Sequence, residues 1–368
     1  MPSYPDTFRR FITQSTQSTL EQVRASGALF DAGQREHVLH TLEFALDCAD
    51  AWKDGCKILL LLEPEYRRTS IPGQWILPLE RAIAYCLHNS ERQTAASLYF
   101  YLGYIYQRQN NLGKARTSFQ ACADIFEALS MSCEQANALN RVAFILRLSG
   151  EITDSEALVQ KALQLLKTDE RREFSYFVLG MIAYDRGEYD KALEAFRQSV
   201  EIVKLLGNPL LYGQRLRNLG PPSRKLEQFE EAISCYEQAI ELFTEINDTH
   251  EIAITKMNLG NVYTNVNRLE DALQAYTEAE ATLRHSQQHL QRANLDLNIG
   301  IVQRMLENFP LAEQSIQRAV SSFRKNQNTR SLVNALDELA ILYIVQEKRG
   351  LAEEALQEAK RISNQLDS

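Results

Sequence analysis

With 45% apolar and 24% charged side chains over 368 residues, the chain is apolar enough to fold. Its net charge of −8 argues against a nucleic-acid partner, whose phosphates favour dense lysine and arginine. The longest aliphatic run, Ile58 to Leu62, is too short to cross a bilayer, and MPSYPDTFRRFITQSTQ lacks the apolar stretch of a signal peptide, so no membrane partner and a cytoplasmic location are expected.

In chain order, residues 1–34 read as a partly irregular segment, with the STQST stretch before Leu20 as a loop or cap. Residues 35–52, REHVLHTLEFALDCADAW, have the spacing of an amphipathic helix. A second helix is expected over 51–62, AWKDGCKILLLL, stopped by Pro64, and a third over WILPLERAIAYCLHN. Residues 35–95 thus form either a helical cap holding a degenerate repeat or a small effector bundle. Six cysteines (Cys48, Cys56, Cys86, Cys122, Cys133 and Cys235) show no C-x-x-C spacing; Cys122 and Cys235 fall in helical patterns where a small apolar residue fits, so buried free thiols are expected.

From residue 96 the chain repeats itself. A small residue recurs at Gly103, Ala143, Gly180, Gly220, Gly260, Gly300 and Ala340, with spacings of 40, 37, 40, 40, 40 and 40. Twelve residues after each stands another small one: Ala115, Ser155, Ala192, Ala232, Ala272, Ala312 and Ala352. Four further on is a larger apolar residue: Phe119, Val159, Phe196, Tyr236, Tyr276, Ile316 and Leu356. Small residues let two helix backbones approach, and large ones fill the remaining gaps. Each unit is therefore a helix pair, A then B, too thin to bury its apolar faces without its neighbours.

The pattern L-G-x-x-Y, A-x-x-x-F, A resembles the tetratricopeptide repeat, although the forty-residue step exceeds its usual ~34. That longer class is similar to the arrays of spindle-orientation scaffolds, kinesin light chains, bacterial peptide-controlled regulators and signalling-ATPase sensors. The resemblance implies an all-α fold, a right-handed superhelical α-solenoid of antiparallel helix pairs. Seven repeats are expected, at about 96–135, 136–172, 173–212, 213–252, 253–292, 293–332 and 333–366. It also implies a groove lined by A helices, whose positions 2, 5, 6, 9, 12 and 13 face a ligand when the recurring small residue is position 8.

Position 6 holds Asn218, Asn258 and Asn298, with Asn140, Asn261, Asn265 and Asn294 nearby. A carboxamide both donates and accepts, so a ladder of them can pair with an extended main chain of any sequence; bracing between helices is the alternative. Arg217, Arg224, Lys225 and Arg304 on the same face suit an acidic partner, unless they pair with the protein's own glutamates. Further N-terminal lie Arg108, Arg141 and Arg147, and Phe100, Tyr101, Tyr104, Phe144, Phe174, Phe177 and Met181. They suggest a face that is aromatic first and amide-rich later.

Pro221 and Pro222 fall at positions 9 and 10, mid-helix, where each removes a main-chain hydrogen bond. A kink or break is expected at Gly220, Pro221 and Pro222. No phosphate loop, G-x-S-x-G or H-E-x-x-H is present. His250, His285 and His289 could converge, but no acidic partner is identifiable for them. Neither catalytic residues, nor a metal, nor a cofactor are expected. The sequence points to a non-enzymatic scaffold binding a peptide or partner segment in the groove. The alternative is a peptide- or ligand-controlled switch whose N-terminal helices act as effector.

Overall fold

The computed structural model describes residues 5–26, 30–68, 72–283 and 289–366, and every statement below concerns these; His285 lies outside them. They form helices, turns and no strand. The fold is an all-α solenoid. Its chain divides into two compact units, Met1–Arg186 and Gly187–Ser368, a division inside the third repeat expected from sequence.

The first unit begins with α1 (Asp6–Ser26), α2 (Ala32–Ala45), α3 (Trp52–Leu61), the short α4 (Glu63–Arg68) and α5 (Ile76–His88). α1 packs on α2 and α3, α3 on α5, and α5 on α6 (Arg92–Arg108). The loop expected at STQST is instead the middle of α1. Thr13 and Thr16 donate to the carbonyls of Arg9 and Ile12, 2.9 and 2.8 Å away, so polar side chains are satisfied by the helix itself. The helix expected over 35–52 ends at Ala45, because Asp47 is held in a turn. Its carboxylate accepts from Tyr85 Oη at 2.9 Å and pairs with Arg81 at 2.7 Å. Tyr66 and Trp75, both fully buried, stack edge-to-face at 5.9 Å in this core.

The unit continues through α7 (Leu112–Ala128), α8 (Ser132–Leu148), α9 (Ile152–Leu165) and α10 (Glu173–Asp185). The single 37-residue spacing is found here: α9 and α10 have 14 and 13 residues where α6 to α8 have 17 each.

The second unit holds α11 (Tyr189–Leu206), α12 (Pro209–Lys225), α13 (Phe229–Glu245), α14 (Thr249–Asn265) and α15 (Leu269–Leu283), then α16 (His289–Met305), α17 (Phe309–Lys325), α18 (Thr329–Val345) and α19 (Arg349–Leu366). Each A helix packs along its following B helix, and the pairing depends on the small residue at position 8. A Cβ at Gly220 would lie 2.1 Å from the Tyr236 ring; at Gly260, 2.5 Å from Tyr276; at Gly300, 2.5 Å from Ile316. Ala232, Ala272 and Ala312 on the B side have no exposed surface.

Turns recur at a step of about twenty residues. Asn110, Ser130, Glu227, Asn247, Asn267, Glu307, Gln327 and Glu347 all take left-handed backbone, with φ between 54° and 62°. The following amide reaches five residues back, as Gln228 does to the Ser223 carbonyl at 2.8 Å and Lys348 to Tyr343 at 2.9 Å. This helix ending satisfies carbonyls otherwise left orphaned.

Candidate ligand-binding face

In the second unit the A helices α12, α14, α16 and α18 each touch the next, while α11, α13, α15, α17 and α19 make no comparable contact with one another. The A side therefore gathers one continuous surface.

One residue of register decides what reaches that surface, because successive residues point about 100° apart on a helix. Position 5 turns toward the neighbouring A helix. Arg217 there is clamped by the Glu251 carboxylate of α14, which also accepts from Gln214 at 2.7 Å. Position 6 turns outward between the helices. Asn218 and Asn258 are half-buried, and their amides bond to no other side chain among the described residues. Asn298, also half-buried, donates to Asn261 Oδ1 at 2.8 Å. That same oxygen accepts from Tyr276 Oη at 2.7 Å, which leaves Asn261 two amide hydrogens and Asn298 one carbonyl oxygen. Burial pushes the Tyr276 phenol up to about 12, so it remains a donor at neutral pH.

The basic part of the face is smaller than the sequence suggests. Arg304 donates to Glu338 at 3.1 Å, and Glu338 fills the position-6 place on α18. Arg217 and Arg304 are thus neutralised by the next helix. Arg224 is different: it donates to the Asn265 amide oxygen at 3.2 Å, and Lys225 beside it is exposed. Asn265 and Asn294 are exposed.

Asn140 does not belong to this face. It is fully buried on α8 at position 5, and its amide donates to Ser175 Oγ of α10 at 2.7 Å. Its register turns it into the interface between α8 and α10. Of the kink or break expected at Gly220, Pro221 and Pro222, a break is absent: α12 is one continuous helix through both prolines. Gly220 has no Cβ to clash with the Pro221 ring. Pro222 and Ser223 are buried, and Gly220 lies against Tyr236. Packing thus holds helical dihedrals that proline alone disfavours. The hydrogen-bond cost persists, since the carbonyls of Arg217 and Asn218 receive no i+4 bond.

The sequence pattern as read above misses the far end of the face. Positions 9, 12 and 13 of α18 hold Ile341, Ile344 and Val345, exposed by 40, 57 and 52%, and Met305 at position 13 of α16 is exposed by 38%. Applying the register count to the last repeat would have found them. The amide row therefore ends in an aliphatic patch on α16 and α18.

The first unit carries a different surface on α6, α8 and α10. The rings of Phe144, Phe174 and Phe177 lie within 5.7–6.4 Å of one another. The Arg141 guanidinium sits 4.1 Å from the Phe174 ring centre and 5.8 Å from that of Phe100. Arg147 is paired with Asp185 at 2.6 Å, and Arg108 donates to the Tyr66 carbonyl at 2.6 Å.

Helix pairs with this register match known families. A family model described as a MalT-like TPR region covers residues 134–291, and one described as tetratricopeptide repeat covers 96–128. It is a tetratricopeptide-repeat protein. A solved Rap protein complexed with competence and sporulation factor aligns over 98% of this chain and 99% of its own, at TM-score 0.62 and 15% identity. The apo form of the quorum sensor NprR from B. thuringiensis aligns over 96% and 99%, at 0.64 and 13%. A signal-transduction ATPase with a tetratricopeptide repeat sensor, from Pyrococcus horikoshii, aligns over 92% of this chain and 54% of its own, at 0.64 and 13%. At these identities the likeness establishes the fold. No curated protein matches the sequence.

Proposed function

We propose that this tetratricopeptide-repeat protein is a non-enzymatic scaffold that binds an extended peptide or partner segment along α12, α14, α16 and α18. The observation that carries the reading is the pair of uncommitted amides, Asn218 and Asn258, at one register on adjacent helices. The spare hydrogens of Asn261 and the spare oxygen of Asn298 continue the row. Such a row recognises main chain, whose donors and acceptors alternate whatever the side chains. The aliphatic patch at α18 favours an apolar residue at one end of the bound segment. Arg224 and Lys225 offer an acidic residue one place to dock, fewer than the sequence suggested, since Arg217 and Arg304 are occupied. We assign the protein to the cytoplasm; among the described residues no helix is long and apolar enough to cross a membrane.

The test is selection of peptides from a displayed random library, with the wild type and an Asn218→Ala, Asn258→Ala, Asn298→Ala variant compared on the enriched sequences. Binding to the wild type and at least a tenfold loss in the variant, at equal helicity and Tm, support the reading. Equal binding by both assigns the amides a structural role.

A second reading is a ligand-controlled switch with α1 to α5 as effector. What favours it is the reach of the likeness. The Rap and NprR structures align over 98 and 96% of this chain, so over its N-terminal helices as well as the repeats. Of these relatives, one was solved with competence and sporulation factor and the other is a quorum sensor. Deleting residues 1–92 separates the two readings. A scaffold keeps both partner binding and biological activity, whereas a switch keeps the binding and loses the activity.

A further inference from the structure

The fold brings together two cysteines that are thirty residues apart in sequence. Cys56 on α3 and Cys86 on α5 face each other with their sulfurs 3.6 Å apart. All six cysteines are free thiols. We propose that Cys56 and Cys86 form a reversible intramolecular disulfide when the protein meets a peroxide-class oxidant.

A disulfide bond is about 2.05 Å long, so the sulfurs need to close by about 1.5 Å. Local electrostatics separate the roles of the two thiols. The two sulfurs share a hydrogen bond that either can donate; the arrangement in which Cys56 donates favours thiolate on Cys86 and holds the proton on Cys56. Lys53, ion-paired with Glu91 at 2.6 Å, lies close enough for its charge also to favour that thiolate, against the opposing effects of burial and Glu91. Nucleophilic sulfur is the thiolate form, so Cys86 reacts first.

The chemistry balances with one peroxide. Cys86 thiolate attacks one oxygen, the O–O bond breaks, and the leaving hydroxide takes up the proton Cys86 released, giving a sulfenic acid and one water. The Cys56 sulfur then attacks the Cys86 sulfur. The S–O bond breaks, and the hydroxyl leaves with the Cys56 proton as a second water. Two electrons pass from the two sulfurs to the peroxide oxygens. Burial sets the selectivity: Cys56 is 2% exposed and Cys86 not at all, so the pair is closed to another protein's thiol, and a small peroxide reaches it only through transient local opening of the surrounding helices. The product would fasten α3, which carries α1, to α5, which carries α6.

The experiment treats the full-length protein with a small molar excess of hydrogen peroxide, blocks remaining thiols by alkylation, and counts and maps them by mass spectrometry after denaturation. The expected result is a fall from six free thiols to four, with one linked peptide pair holding Cys56 and Cys86, reversed by dithiothreitol. Cys56→Ala should lose the link and leave Cys86 oxidised beyond the thiol. The proposal is overturned if six thiols persist, if the linked pair involves other cysteines, or if wild-type Cys86 accumulates as sulfinic acid with no link. Because the mapping is done on the wild type, it decides the matter even where the variant folds poorly.

Discussion

The A-helix face of α8 and α10 and that of α12 to α18 share a register and differ in chemistry. At position 5 the first has Asn140, sealed against Ser175, and the second has Arg217, clamped by Glu251. At position 6 the first has Arg141, laid over Phe174 and Phe100, and the second has the open amides of Asn218 and Asn258. Position 5 is thus structural in both regions, whatever residue occupies it. Position 6 is the variable place: a stacked cation on α8, the fully buried Val178 on α10, and open amides on α12 and α14. Residue type alone is a poor guide to exposure on such a face; within α12 to α18, register is a better one.

The most damaging way to break the second region is to separate its helices. Gly220→Ala would put a methyl group 2.1 Å from the buried Tyr236 ring. We expect a loss of ~1–3 kcal/mol, the usual cost of forcing volume into a packed interface. The contrast is Gly350→Ala in α19, where nothing lies within 4 Å of the added carbon. There the better helix propensity should raise stability by ~0.5–1 kcal/mol. Denaturant unfolding of both variants measures the difference; two changes of the same sign would remove the steric explanation.

Next is the register itself. Asn140→Ala removes the donor to Ser175 from a fully buried site and should lower stability by ~1–2 kcal/mol. It should leave peptide binding unchanged. Asn218→Ala should do the reverse, with an unaltered melting curve and weaker binding. If the two variants behave alike, positions 5 and 6 are not the distinct places described above.

Much of this is legible in the amino-acid sequence alone. The spacing of glycines, alanines and aromatics specifies the helix pairs, because close packing tolerates few residue types at positions 8 and 20. The shortened step between Ala143 and Gly180 marks the place where α9 and α10 lose residues. Other features are not legible there. Pro221 and Pro222 argue locally for a break, and only the packing of Gly220 against Tyr236 and the burial of Pro222 and Ser223 override them. The amphipathic pattern over 35–52 is real, but it contains no sign that Asp47 is captured by Arg81 and Tyr85 thirty-odd residues later. The pairing of Arg217 with Glu251 and of Arg304 with Glu338 likewise needs the distance between helices, which a count of charges lacks.

Tyr276 links the core of the second region to its amide row. Tyr276→Phe should cost ~1 kcal/mol and release Asn261 from one of its two bonds. The phenol's folded value, about 12, stands above its ordinary 10.0. A raised value means the neutral form is favoured in the folded protein. Its contribution is complete below pH 10 and is lost as pH rises through about 12. The phenylalanine variant should lack that alkaline loss, which unfolding curves at pH 9 and 11 would reveal.

The smallest expected effect concerns the turns, where each region has both glycine and non-glycine helix endings. The first unit closes α8 with Gly150 at φ 83°, while the second closes α12, α16 and α18 with Glu227, Glu307 and Glu347 at φ 57–62°. Left-handed backbone crowds a Cβ against the following carbonyl, at ~1–2 kcal/mol per residue. Glycine avoids that strain and gives some of it back as extra freedom in the unfolded chain. Glu307→Gly should therefore stabilise the second unit by a net ~0.5 kcal/mol. Gly150→Glu should destabilise the first by about the same. Opposite signs of similar size would mean the turns are interchangeable parts under one backbone constraint. A loss at Glu307→Gly would mean its carboxylate makes a contribution larger than the strain.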